Sequence, residues 1–175
     1  MNNKITKMVF TALFAALAII IPVSFGFLKI IIGPFTATLA SHVPMFLSMY
    51  LSPASAAVVG LGSTLGFMYT GLPLVVVFRA ASHIIVGALG GILVERGFEY
   101  KKVVLITAPV HGLLEGLAVI PFFGLDLYYI LVVTVIGSIA HHCADGVISA
   151  ALLKALSKAL RRDLSKGFFK ERQRA

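Results

Sequence analysis

Apolar residues run along this chain in blocks of membrane length, separated by short joints rich in Gly, Pro or basic residues. A helix needs about 20 such residues to cross a bilayer. The blocks predict six helical spans at residues 6–24, 35–51, 54–69, 73–94 and 103–121, and from 128 into the basic tail. The joints at 24–34 and 122–127 are themselves apolar, so they read as caps on the protein or at the interface rather than solvated loops. Small residues punctuate two spans. Ala12 and Ala16, with Ala15 and Ala18 nearby, stand on the first; Gly60, Gly62 and Gly66 stand on the third. Such residues let a second backbone approach closely. The alanines fit either a docking stripe or packing inside the bundle, and the glycines fit a close crossing or room for a ligand. Pro44 interrupts the second span, as proline does where neighbours satisfy the freed carbonyl, often beside a cavity.

Composition narrows the class. Of 175 residues, 59% are hydrophobic and 13% charged, whereas soluble domains carry about 25% charged residues. An all-α integral membrane protein follows, with residues 1–160 as one six-helix domain and 161–175 as a basic cytoplasmic tail. The first block does not read as a cleaved signal, because residues 19–22 offer no small-residue cleavage site. No Gly-rich phosphate loop with Lys and Ser/Thr is present, so the chain predicts no ATPase of its own and no bound cofactor. The net charge of +8 does not point to nucleic acid: apart from Lys29 and Arg79, the basic residues lie at the N-terminus, at 96–102 or after 153. Basic flanks mark the cytoplasmic side, which places both termini there. The tail interleaves basic and apolar residues and suits anionic lipid, a docking partner or a solvated flank. Cys143 is the lone cysteine and has no internal disulfide partner.

Candidate chemistry sits inside the spans. Residues 73–91 carry Arg79 and His83 one turn apart. A guanidinium at that depth costs roughly 2.5 kcal/mol or more unless something accepts it. At 1.5 Å per residue, Arg79 and Glu115 lie about 9 Å from one face, His42 about 12 Å, and His83 and His111 about 15 Å. That common level predicts a polar chamber in the outer half of the membrane. Arg79 would clamp a small anion there with its planar two-pronged donor, with His42, His83, His111 and Glu115 around it and Tyr69 and Phe78 as ring contacts. The alternative is that Glu115 permanently neutralises Arg79. His141, His142 and Asp145 fall deeper, at roughly 20 Å, and read as a clasp between helices. Five histidines with Glu and Asp also raise a transition-metal reading. Against it stand the absence of HExxH or a Cys pair and the split between two depths, so no metal is predicted. Ser41 and Ser82 neighbour histidines in sequence but point away from them on a helix, so no nucleophile–base pair is implied.

The whole chain resembles a substrate-binding S component of an energy-coupling factor (ECF) vitamin transporter: its size, six spans, basic N-terminus and Ala12-x-x-x-Ala16 all match. The resemblance implies a prokaryotic cell-membrane protein whose first helix docks through Ala12 and Ala16 on a transmembrane coupling subunit. It also implies that two ATPase subunits supply the energy, and that substrate binds under loops one and five. GPFTATLASHVPMFLSMYLSP, FRAASHIIVGALGG and HGLLEGLAVIPFFG resemble the niacin-specific branch most. Nicotinate, a small flat anion, suits Arg79; another vitamin or precursor is the alternative. The chain lacks the initial Met-His of nickel and cobalt S components and has no Trp for the stacking that thiamine binders use.

Overall fold

A computed structural model describes residues 3–32, 35–161 and 163–164. Most of the expected tail therefore lies outside the described residues. The order is α1 (Asn3–Ser24), β1 (Lys29–Ile32), β2 (Phe35–Thr38), α2 (Val43–Ser48), α3 (Pro53–Tyr69), α4 (Leu74–Glu95) and α5 (Tyr100–Phe123), then a π-helical stretch (Tyr128–Ile136) running straight into α6 (Gly137–Ala159). Among the described residues, four segments are long and apolar enough to cross a membrane: Lys4–Ser24, Leu74–Glu95, Tyr100–Phe123 and Tyr128–Ala159. At 17 residues, α3 is at the short limit for a span. The chain is a mostly helical, multi-pass membrane protein.

Residues 35–51, expected as the second helical span, are not one helix. Their first part pairs antiparallel with β1, setting Lys29 against Thr38 and Ile31 against Thr36. The alternation of β-branched threonines with Ala37 suits a strand. Ala40 then adopts a left-handed backbone at φ 67°. Pro44, lacking an N–H, stands in the first turn of α2, where that donor is not needed. Residues 41–52 are all buried, and irregular backbone survives at membrane depth only inside protein. The chain is thus not purely α-helical. The apolar joint expected at 24–34 contributes β1 to this hairpin.

Close approach holds α3 between α1 and α4. A Cβ on Gly60 would stand 2.5 Å from the His83 carbonyl oxygen of α4, and one on Gly87 2.7 Å from that of Ala56. Gly62 and Gly66 face Ala15 and Ile19 of α1 in the same way. The glycines of the third block therefore serve helix crossings rather than ligand space. Ala18 is buried and Ala15 packs inward, while Ala12 and Ala16 lie on the exposed face with Met8, Leu13 and Leu17. Ser52 starts α3 by accepting the Ser55 N–H at 3.1 Å. Asp126 starts the last crossing by accepting the Tyr129 N–H at 3.0 Å.

Candidate functional site

At the end of the bundle where α4 begins and α5 finishes, the hairpin folds over a polar cavity. Lys29, Thr36 and Thr38 line it from the hairpin, Ser41 and His42 from the turn, Phe67 from α3, Arg79 and His83 from α4, Glu115 from α5 and His141 from α6. Its empty space, entrance included, is about 400 Å³, but only about 30 Å³ admits the centre of a water-sized body. One water needs roughly 10–15 Å³ by that measure. The cavity as it stands is narrow.

Arg79 is almost buried, and its charge is balanced inside the protein. Nη2 and Nε donate to Glu115 Oε2 at 2.7 and 2.9 Å, and Nη2 reaches the Thr36 carbonyl at 3.4 Å. Ser138 Oγ donates to the same carboxylate oxygen, and His111 Nε2 lies 3.3 Å from Oε1. The internal partner weighed from the sequence is therefore present. Nη1 takes part in none of the hydrogen bonds described, and Arg79 still lines the cavity. An anion entering there meets the remaining edge of a paired guanidinium.

His42 stands at the centre of the five histidines. Its ring centroid is 4.5 Å from that of His83, 4.6 Å from His141, 4.7 Å from His111 and 5.4 Å from His142. Asp145 fixes it: the carboxylate accepts from His42 Nδ1 at 2.8 Å, from the Ala40 N–H at 2.8 Å and from the His42 N–H at 3.0 Å. His141 Nε2 is 3.2 Å from the same carboxylate. Asp145 thus supplies partners that the broken second segment lacks and ties that segment to α6. The two depths inferred from sequence, however, are one cluster. A π-helix rises less per residue than an α-helix, so the Tyr128–Ile136 stretch leaves His141 nearer the cavity than straight counting places it. Counting His42 along a helix failed for the simpler reason that no helix is there.

Of the predicted contacts, Arg79, His83, His42 and Glu115 line the cavity, and His111 lies beneath, bonded to His42 and Glu115. Tyr69 and Phe78 do not. Tyr69 is 78% exposed, and Phe78, 49% exposed, packs edge-on against Phe122. Both occupy helix positions that face outward, where an aromatic ring suits lipid or the interface. Phe67, two residues before Tyr69, supplies the inward ring instead. Lys29, Thr36 and His141 were missed because they belong to the hairpin and to the π-shifted helix. The Thr-Ala-Thr alternation was the available signal for the former.

No family model matches the chain, and no solved structure does. Among curated proteins, the niacin transporter NiaX of Lactococcus lactis subsp. cremoris (strain MG1363) is 33% identical, over 92% of this chain and 79% of NiaX. The chain belongs to the niacin-type branch of the ECF S components. It is thus a multi-pass transport protein, and an S component's task is to hold a vitamin. The cavity under the hairpin is the place in this S component where polar side chains from five segments meet.

Proposed function

We propose that the protein binds nicotinate in this cavity and delivers it for ATP-driven uptake by partner subunits. The observation that carries the reading is a buried guanidinium lining a cavity in a chain related to a niacin transporter. The Arg79 edge takes the carboxylate, His83 offers a ring nitrogen, His42 packs beside it, and Phe67 offers an apolar face for the pyridine. Because the free space is small, a ring-bearing solute enters only as the hairpin lifts and then re-closes. Residues 1–160 form the membrane domain and 161–175 a basic cytoplasmic tail. In this arrangement the protein lies in a prokaryotic cell membrane with both termini inside, makes six crossings of which 35–51 is the irregular one, and faces the cavity outward. A membrane coupling subunit docks on Ala12 and Ala16, and two ATPases hydrolyse the nucleotide.

The test is equilibrium binding of radiolabelled nicotinate to the purified chain. Saturable binding competed by nicotinate, and much less by the uncharged amide, is expected. The double variant Arg79→Gln/Glu115→Gln, which removes both charges of the buried pair, should abolish it while the protein stays monodisperse. Binding that survives this change removes Arg79 from the site.

A further inference from the structure

Beneath the cavity, three histidines have the arrangement of a metal-ion site. His42, His111 and His142 are each 1% exposed or less, and they offer ligand atoms that all lie within 4.8 Å of one another. The hydrogen bonds favour one bare nitrogen on each of two rings. Asp145, a carboxylate, takes the proton on His42 Nδ1, leaving a lone pair on Nε2. The Thr107 hydroxyl donates its single proton to the Val103 carbonyl at 2.8 Å. It therefore accepts from His142 Nε2 at 2.9 Å, leaving the lone pair on Nδ1. That Nδ1 is buried with no hydrogen-bond partner among the described residues; His111 would offer Nε2, 3.3 Å from Glu115 Oε1, and would give up any proton there on binding an ion. An oxygen partner on the far nitrogen is the usual support of a metal-bound histidine, because it sets both tautomer and ring orientation.

Distance and charge agree. His42 Nε2 and His111 Nε2 face each other at 3.4 Å. Two donors about 2.0–2.1 Å from one tetrahedral ion stand roughly 3.3–3.4 Å apart. Glu115, paired with Arg79, groups with His83 and His111 rather than with this triad, so the fourth position is left to solvent. Asp145 is fully buried, and its ion-pair partners among the described residues are imidazoles only. A buried carboxylate without a permanent cation is costly, and a divalent ion on the far nitrogen of His42 would balance it.

We propose that His42, His111 and His142 hold one divalent first-row transition ion, of the class that imidazole favours (Zn²⁺, Co²⁺, Ni²⁺), beneath the solute cavity. Asp145 and Thr107 are positioning residues for it. Cys143 is not among the candidate ligand sets. With Nδ1 on Asp145 and Nε2 on the ion, His42 would present only its ring edge to the cavity floor that it lines.

The experiment uses the full chain without a histidine tag, stripped with chelator and titrated with Co²⁺ in the absence of nicotinate. One equivalent should bind and give the intense visible absorption of tetrahedral Co²⁺. X-ray absorption of the Zn²⁺-loaded chain should show nitrogen and oxygen neighbours about 2.0–2.1 Å away. His142→Ala, outside the cavity lining, should weaken Co²⁺ at least tenfold, and Thr107→Val about 10- to 100-fold. Absence of stoichiometric uptake overturns the proposal, as does weak octahedral absorption that both variants retain, the mark of an adventitious ion only. The spectra of the unaltered chain decide the matter even if a variant misfolds. Since no vitamin is present, a negative result leaves the nicotinate reading standing.

Discussion

Arg79 and Glu115 carry two duties that one substitution cannot separate. Arg79→Ala leaves a buried carboxylate without its cation, a change that costs about 3–5 kcal/mol in comparable pairs. Lost binding in that variant alone says little. In the double variant Arg79→Ala/Glu115→Gln, thermal unfolding in detergent should recover most of the lost stability, while titration calorimetry should still find no nicotinate binding. Recovery of both would make the pair structural only. Asp145 offers a cleaner case. Asp145→Ala strands the Ala40 and His42 N–H groups, each worth about 1–3 kcal/mol when buried. Hydrogen exchange should rise at residues 35–42 well before the long helices are affected. Equal protection across the chain would show that Asp145 does not hold the turn.

At the scale of elements, two helix faces make opposite predictions. Where α3 meets α4 there is no free space: Gly87→Ala pushes a methyl to within 2.7 Å of the Ala56 carbonyl oxygen. Overpacking of this kind destabilises by about 1–3 kcal/mol, read as a lower unfolding midpoint; an unchanged midpoint would mean the helices part easily. The outward face of α1 has room, so Ala12→Phe or Ala16→Phe should leave folding and nicotinate binding intact. Uptake into cells carrying the partner subunits should nevertheless fall at least tenfold. Normal uptake would remove that face as the docking surface. The small residues were readable in sequence in both places, but which of them face inward was not. Ala12 and Ala15 differ only by the rotation of α1, and packing against Gly62 and Gly66 sets that rotation.

For the molecule as a whole, the hairpin is the element whose movement the small cavity requires. Phe35 of β2 packs on Gly137, where a Cβ would stand 2.6 Å from ring carbon Cδ2, so the hairpin rests on α6 as well as over Arg79. Saturating nicotinate should therefore slow hydrogen exchange in residues 29–42 more than anywhere else. Slowing confined to the helix ends far from the hairpin would place the solute elsewhere. Sequence by itself determined the membrane class, five of the helical segments and some of the polar residues that meet inside. Apolar length and the cost of an unpaired charge in lipid are local properties, legible one segment at a time. Only the tertiary structure decided that residues 35–51 break into strand, turn and short helix, because that backbone depends on a carboxylate more than 100 residues away. It also decided that Glu115 pairs with Arg79 and that five histidines from four segments form one cluster. Depth along a chain fixes a level in the membrane, whereas contact depends on rotation and on departures from a straight helix.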